Sequence, residues 1–294
     1  MNKLLSFIFI FFSTFISAQN ISQKVIQEYE DTLRILANKI IYGKTFEIRK
    51  NSNIGFISEI KEVIKFKESY HYPFDSLETI SKLSPEDKSF RLFNWILPEK
   101  NGKNRYFAII LLPSSSEDNY NQIIELKYQE SNLFNFEHQN YNHENWYGAL
   151  YYKIISPKKK NNKHYTLLGW DGNHQESIVK IIDVIEIDDN KINFGKDIFL
   201  KKKEISKRIA IEYNRNINVS VNFDSEKNRI ILDHLVPLKK NQEGFNQFYV
   251  PDGSYDCFSY INGKWVFKED IDVKIKKSLP KIKNNKNNSN LFKK

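Results

Sequence analysis

The clearest structural signal in the chain is residues 254–269, SYDCFSYINGKWVFKE, where two alternating runs flank Asn262-Gly263. Alternation with a period of two residues is typical of a β-strand. The Asn-Gly pair favours a two-residue type I′ turn, because both central positions of that turn need positive φ. The stretch therefore predicts an antiparallel hairpin with strands at Ser254–Ile261 and Lys264–Glu269.

The same alternation recurs through most of the chain after Pro73. Turn residues such as Asp171-Gly172-Asn173 separate the runs, and the connections are too short for helical crossovers, which predicts antiparallel pairing. We expect a mainly β body over residues 73–273, an antiparallel meander forming a curved sandwich or open barrel, with a small propeller-like arrangement as the alternative. The other predicted strands are Ser89–Trp95, Arg105–Leu112, Trp146–Ile155, His164–Trp170, Ile178–Ile187, Lys207–Tyr213, Asn218–Phe223 and Arg229–Leu235.

Two α-helices are predicted in the N-terminal segment, residues 19–72. The first spans residues 21–41, and Gly43 is a plausible end. Its apolar stripe has helical spacing and consists of Ile21, Val25, Tyr29, Leu33, Leu36 and Ile40. The second spans about residues 52–66, with Asn51 or Ser52 as the N-cap. Its apolar face consists of Phe56, Ile57, Ile60, Val63 and Ile64.

Residues 1–18 have the pattern of a secretory signal peptide. Lys3 precedes an apolar stretch over residues 4–16, and Ser17-Ala18 then leads into a polar chain. We expect cleavage after Ala18 and export to the periplasm or the medium; the alternative is a retained anchor helix. No Cys follows the apolar stretch, so the mature protein is not expected to be a lipoprotein.

The basic charge of the chain is concentrated in its last part. Of the 45 basic residues, eight lysines lie in residues 274–294 without an acidic residue, and one is Lys3, so 36 remain to match the 36 acidic residues. A neutral body does not indicate a nucleic-acid interface. The lysine-rich tail is predicted to be disordered; it either contacts an anionic surface weakly or only improves solubility.

Several motifs for common chemistries are missing from the sequence. The closest glycines, Gly169 and Gly172, exclude a G-x-G dinucleotide motif, and no pair fits a P-loop or a G-x-S-x-G elbow. We therefore expect no cofactor and no metal. The one cysteine, Cys257, is either a nucleophile or a small buried apolar residue.

The turn that contains Trp170, Asp171, Asn173 and His174 is the first candidate ligand site. Its oxygen and imidazole groups, beside an aromatic ring, suit a sugar or a hard cation. Ordinary turn chemistry is the alternative, because Asp and Asn bond to nearby backbone and Gly adopts positive φ.

A second candidate set consists of Asp233, His234, Asp252 and Asp256. Adjacent strand residues face opposite sides, so Asp233 and His234 are not expected to act together. If the junction of Asp252 and Asp256 lies near Asp233, the carboxylates raise one another's pKa; otherwise these are polar residues at strand ends. In segment 131–146, His138 and His143 with Glu137 and Glu144 suggest either a metal site or a polar surface loop.

The order of several short motifs resembles an uncharacterised family of exported flavobacterial-type proteins. These motifs are YPFDSL (72–77), FRLFNW (90–95), WYGALYY (146–152), YTLLGWDGN (165–173), DHL (233–235) and PDGSYD (251–256). The resemblance implies export and no particular activity. Two functions follow from the residues: a non-enzymatic binding or structural module of the envelope or periplasm, or a secreted hydrolase. The hydrolase would use Asp171, His174, Asp233, His234 and Asp256 as acid/base groups.

Overall fold

A computed structural model of the chain describes residues 21–99, 102–114, 119–130, 133, 135–157, 164–188 and 191–272. Two α-helices and three largely antiparallel sheets pack as successive layers, which confirms the predicted β body behind two helices. None of the three described sheets closes into a barrel. Within those ranges no helix is long and apolar enough to cross a membrane. The predicted signal peptide (1–18) and lysine-rich tail (274–294) lie outside the described residues.

Helix α1 (Gln23–Tyr42) begins at Ser22, whose side chain accepts a hydrogen bond from the Val25 amide, and ends at Gly43 as predicted. Its buried face differs from the predicted stripe, and Val25 is exposed. Residues spaced four apart do not stay on one face, because the helix has 3.6 residues per turn. The buried residues are Ile26, Glu30, Leu33, Ala37 and Ile40. Glu30 is buried because it accepts hydrogen bonds of 2.7 Å from the Tyr72 hydroxyl and from the Ser76 amide.

Helix α2 (Phe46–Ile64) begins six residues earlier than predicted. Thr45 is its N-cap and accepts from the Ile48 amide at 3.2 Å, so the predicted caps Asn51 and Ser52 lie inside the helix. The local sequence contains four residues with capping side chains, Thr45, Asn51, Ser52 and Asn53, and the helix begins after the first of them. Asn53 is buried on this helix because its Oδ1 accepts from Trp95 Nε1 at 2.7 Å.

The first sheet has four strands in the order β1-β2-β3-β4. They are β1 (Ser81–Leu83), β2 (Arg91–Pro98), β3 (Asn104–Leu112) and β4 (Gln122–Leu126). Phe93 and Trp95 of β2 face the helices, whereas Leu92 faces the second sheet. Because both faces of β2 are covered, its sequence reads as a nearly continuous apolar run.

The second sheet is built around its longest strand, β8. Its strands are β5 (Tyr141–Asn142), β6 (Leu150–Ile155), β7 (His164–Asp171), β8 (Ser177–Asp188), β9 (Lys191–Phe194) and β12 (Ile209–Asn214). Strand β7 pairs along one edge of β8, while β9 and β12 share the other edge. This arrangement leaves the far edge of β12 next to the third sheet.

The third sheet contains the predicted Asn262-Gly263 hairpin, with φ of 50° and 85° at the two turn residues and Ile261 paired to Lys264. Its strands are β10 (Phe199–Lys201), β11 (Glu204–Ser206), β13 (Val221–Asp224), β14 (Arg229–Pro237), β15 (Tyr249–Ile261) and β16 (Lys264–Lys268). Their order is β11-β10-β16-β15-β14-β13. The pair β10–β16 is parallel, an exception that the long intervening chain permits.

The structure adds six short strands to those predicted: β1, β4, β5, β9, β10 and β11. They have two to five residues, too few to show a period in the sequence. Segment 131–146 is also more than a polar surface loop, because its aromatic residues Phe136, Tyr141 and Trp146 are buried in the core between the first two sheets. The predicted strand Trp146–Ile155 begins at Leu150, after Gly148, which has φ of +88°.

Candidate functional site

The pairing between β14 and β15 breaks at the predicted residues Asp233 and His234. Asp233 pairs with Tyr255, but Leu235 pairs with Pro251, so three residues of β15, 252–254, lie opposite His234 alone. Gly253 adopts φ of +97° in this bulge. Asp252 closes it locally, because its Oδ1 accepts from the Ser254 amide at 2.9 Å and the Ser254 hydroxyl at 2.8 Å. We call residues 233–235 with 251–255 the β14–β15 bulge; bulges of this kind re-aim side chains.

His234 and Asp256 form a hydrogen-bonded pair beside the β14–β15 bulge. His234 Nδ1 lies 2.9 Å from Asp256 Oδ2, and Asp256 is only 5% exposed. The register explains the contact, since Asp256 pairs with Leu232 and His234 lies two residues further along the same face. The hydrogen bond to Asp256 raises the pKa of His234, and the charges of Asp256, Asp252 and Glu269 add to the effect.

The pair lines a cleft of about 260 Å³ between the second and third sheets, which we call the inter-sheet cleft. Residues of β12 form one wall, and residues of β14, β15 and β16 form the other. Its apolar lining consists of Ile209, Ala210, Ile211, Leu232, Leu235, Tyr249, Phe258 and Phe267. Its charged lining consists of five carboxylates, Glu137, Glu212, Asp233, Asp256 and Glu269, with Lys201 and His234. The cleft is therefore apolar along its walls and strongly acidic.

Besides Asp256, three of these carboxylates are fixed by hydrogen bonds. Glu137 Oε1 accepts from the Ala210 amide at 2.8 Å, and burial raises the pKa of Glu137. Glu212 Oε1 accepts from the Ser177 hydroxyl at 2.6 Å. Asp233 Oδ2 accepts from the Ser220 amide at 2.7 Å. Each of these acids therefore has a defined position, whereas Glu269 is exposed at the end of β16.

A buried ion pair holds Glu137 in place. Arg208 and Asp183 have no solvent exposure, and Arg208 Nε lies 3.2 Å from Asp183 Oδ2. Arg208 Nη1 also donates to the carbonyls of Phe136 and Gln139, at 2.6 and 2.7 Å. Because these carbonyls flank Glu137, the guanidinium positions the segment that carries this acid into the cleft.

The turn with Trp170, Asp171, Asn173 and His174 has its own hydrogen-bond network. Asp171 Oδ1 accepts from the Tyr106 hydroxyl at 2.6 Å and from the Asn173 amide at 2.8 Å, and burial raises the pKa of Asp171. His174 Nδ1 accepts from the Glu176 amide at 3.2 Å. Trp170 is partly buried against the core between the first two sheets. Asp171 and His174 thus bond to nearby backbone as expected of a turn, and Asp171 is also tied to Tyr106 of β3. Asn173, rather than Gly172, has the positive φ, 42°.

Six of the eight predicted residues fall into two groups. Asp233, His234 and Asp256 line the inter-sheet cleft, with Asp252 beside them in the bulge. Asp171 and Asn173 line a separate pocket of about 90 Å³, which we call the tyrosine pocket. A link exists at Ser177, whose hydroxyl lies 3.1 Å from His174 Nε2 and 2.6 Å from Glu212 of the cleft.

Asp233 and His234 are neighbours on β14, and both border the inter-sheet cleft. Their side chains have different partners: His234 bonds to Asp256, which pairs with Leu232 two residues away, whereas Asp233 accepts from the Ser220 amide. The expectation that the two side chains do not act together stays a prediction.

Sequence reasoning missed Lys201, Glu212 and Glu269 as cleft residues. Lys201 belongs to a strand of three residues. The two acids, Glu212 in β12 and Glu269 just after β16, belong to no recognisable motif. For Glu137 the sequence suggested a metal site or a polar surface loop, not this cleft. In the described ranges no group of three or more His, Cys, Asp or Glu residues is arranged to hold a metal ion. Cys257 is buried, with its Sγ 3.6 Å from Ser259 Oγ.

No protein-family model matches this chain, and neither a curated protein nor a solved structure matches it. The resemblance to an exported flavobacterial-type family therefore stays a prediction.

Proposed function

We propose that the protein is an exported, non-enzymatic binding module whose inter-sheet cleft takes a basic, extended peptide segment with apolar side chains. The observation that carries this proposal is the lining of the cleft, in which five carboxylates and one lysine surround apolar walls. Such a lining favours a ligand that combines positive charge with apolar groups.

The negative charge of the cleft favours a positively charged ligand. A lysine or arginine about 4 Å from one carboxylate gains on the order of 4 kcal/mol at the effective dielectric of a protein surface, partly offset by desolvation. Protonation of His234 reduces the negative charge of the cleft but does not reverse it. Lys201 lies against the ring of Phe267, 4.8 Å from its centroid, which leaves the carboxylates as the main charges facing a ligand.

The edge of β12 that faces away from β8 favours a peptide rather than a small amine. The Ala210 amide points away from β8, because it donates to Glu137. Backbone groups at positions i and i+2 of a strand point to the same side, so the backbone of Glu212 also faces the cleft. An extended peptide pairs with such an edge through its main chain and places alternate side chains in neighbouring pockets.

Calorimetric titration with two matched peptides tests the proposal. Acetyl-Lys-Phe-Lys-amide should bind at least about tenfold more tightly than acetyl-Glu-Phe-Glu-amide, with an affinity that falls as salt rises. The variant Glu269→Gln should weaken binding of the basic peptide severalfold. Glu28→Gln, an exposed change on α1, is the matched control and should leave binding unchanged. Equal binding of the two peptides would contradict the proposal.

Export is a separate part of the proposal and rests on the pattern of residues 1–18. Mass spectrometry of the protein recovered from outside the inner membrane should identify Gln19 as the first residue. Membrane-bound protein that still begins with Met1 would contradict it.

The His234–Asp256 hydrogen bond supports a second candidate function, a hydrolase. Asp256 orients the ring through Nδ1 and leaves Nε2 for a water molecule in the cleft. In this role, Nε2 takes a proton from water while the water oxygen attacks an ester carbon, and the imidazolium later returns the proton to the leaving alkoxide. Hydrolysis of p-nitrophenyl acetate should then fall about 100-fold in His234→Gln. Equal rates for this variant and the unmodified protein would remove the candidate.

A further inference from the structure

The tyrosine pocket is a second cavity that the proposed function does not use. It lies at the start of β3 and is lined by Tyr106, Tyr128, Tyr147, Asp171, Asn173 and Asn104, with four charged residues at its rim. Its volume of about 90 Å³ corresponds to about three liquid water molecules. The pocket therefore admits one edge of a small ring rather than a whole large ligand.

Two glycines let the walls of this pocket approach one another closely. A Cβ at Gly148 would lie 2.5 Å from the Tyr128 ring and 2.8 Å from the Tyr106 ring, and its φ is +88°. A Cβ at Gly172 would lie 2.4 Å from Asn104 Nδ2. Tyr106 and Tyr128 meet edge to face at 5.6 Å, so their geometry is fixed by packing.

At least two polar atoms of the pocket, one on Asp171 and one on Tyr128, have no hydrogen-bond partner among the described residues. Asp171 receives both of its hydrogen bonds on Oδ1, from Tyr106 and Asn173, which leaves Oδ2 as an open acceptor. The Tyr128 hydroxyl makes no hydrogen bond in the described part of the chain. The pocket thus presents one acceptor and one donor on a rigid frame.

The charges at the rim are balanced, which favours neutral ligands. Arg105 Nη2 lies 2.9 Å from Glu99 Oε1, and Lys103 Nζ lies 2.8 Å from Glu130 Oε1. Because each cation is paired with an anion, the rim offers no net charge to a cationic or anionic ligand. Among the described charged residues that line the pocket, Asp171 is the one without an ion-pair partner, and burial raises its pKa.

We infer that the tyrosine pocket binds neutral, hydroxyl-bearing ligands, such as one edge of a sugar ring. A hydroxyl group donates and accepts at once, so neighbouring hydroxyls satisfy Asp171 Oδ2 and the Tyr128 hydroxyl together. The partly exposed ring of Tyr128 supplies the apolar surface against which C–H groups of the sugar pack, and the buried ring of Tyr106 supports it from within. This site is separate from the inter-sheet cleft and does not depend on the proposed function.

Saturation-transfer NMR and calorimetry with the methyl glycosides of glucose, galactose and mannose test the inference. At least one glycoside should bind saturably in the millimolar range, as expected for a small, exposed polar site. Tyr128→Phe keeps the ring and removes the donor, so binding should weaken about fivefold, the effect of one neutral hydrogen bond. Tyr42→Phe, an exposed phenol on α1, is the control and should bind like the unmodified protein.

Three results would overturn the inference: no glycoside binding in the millimolar range, unchanged binding in Tyr128→Phe, or tighter binding of glucosamine or glucuronate than of the neutral glycosides. Asp171→Asn should also reduce binding, because an amide donor replaces the open acceptor; Tyr128→Phe keeps the test decisive if this variant fails to fold. Glu269→Gln in the inter-sheet cleft should leave glycoside binding unchanged. The proposals for the two sites can therefore be confirmed or contradicted independently.

Discussion

The hairpins β2–β3 and β14–β15 show two different uses of the same element. The first pairs without interruption from Arg91–Leu111 to Pro98–Asn104, and apolar layers cover both of its faces. The second breaks at the β14–β15 bulge and carries Asp233, His234 and Asp256. An unbroken ladder maximises apolar burial, whereas a broken ladder lets charged side chains share one cleft.

The polar side chains of the two hairpins also differ in how completely they are hydrogen-bonded. In the first hairpin, Asn94 is fully buried and bonded on both sides: its Nδ2 donates to the Phe107 carbonyl, and its Oδ1 accepts from the Tyr151 amide. At the cleft, Glu269 is exposed and His234 is bonded through only one ring nitrogen in the described structure. Fully bonded polar groups specify packing, while partly bonded groups remain for a ligand.

The largest expected difference between the hairpins concerns large-to-small substitutions. Trp95 is 1% exposed and packs on Phe56 and Phe107, so Trp95→Ala should lower the free energy of unfolding by about 3–5 kcal/mol. Leu235→Ala at the cleft should cost about 1 kcal/mol, because this side chain is only partly buried. Urea denaturation measures the free energy of unfolding of both variants. Equal losses would contradict the expected difference between the hairpins.

Glycine substitutions give a smaller contrast of the same kind. Gly148 and Gly253 both have positive φ, but only a Cβ at Gly148 meets other atoms within 4 Å. Gly148→Ala should therefore cost about 3 kcal/mol from strain and overpacking, and Gly253→Ala about 1 kcal/mol from strain alone. Thermal unfolding of the two variants provides the comparison; a larger cost at Gly253 would mean that the bulge is the more rigid region.

The pH dependence of stability tests the His234–Asp256 pair. The folded-state pKa of His234 is raised, so its contribution is fully present below the unfolded value of about 6.5 and is lost as pH rises through the folded value. The expected contribution is at most about 1 kcal/mol because the ring is partly exposed. Unfolding measured from pH 5 to 9, about the range in which histidine titrates, should show this loss in the unmodified protein and not in His234→Gln. Identical pH profiles would contradict the pairing.

The smallest effect is expected at Asp252, which is exposed and bonds only within the bulge. Asp252→Asn should change the free energy of unfolding by no more than about 0.5 kcal/mol. Chemical denaturation checks this value, and a loss as large as that of Gly253→Ala would show that the aspartate, not the glycine, maintains the bulge.

Part of the fold and of the candidate sites followed from local patterns. Period-two runs located ten strands, and Asn262-Gly263 located a turn, because such signals depend only on neighbouring residues. The sequence correctly placed Asp171 at a strand end, but its placement of His234 at a strand end and of Asp256 at a turn-to-strand junction was wrong, because β14 extends to Pro237 and β15 begins at Tyr249. Strands of two to five residues were missed, since so few positions show no period, and the start of α2 was misplaced because several capping residues compete there.

The amino-acid sequence by itself determined the fold class, the two helices and ten of the described strands, and the chemistry of the candidate residues. Tertiary structure alone decided which residues meet: the register of β14 with β15 brings His234 to Asp256, and the packing of β12 against the third sheet adds Glu137 and Glu212. The physical reason is that strand propensity and turn geometry are local, whereas register and bulges depend on pairing between distant segments.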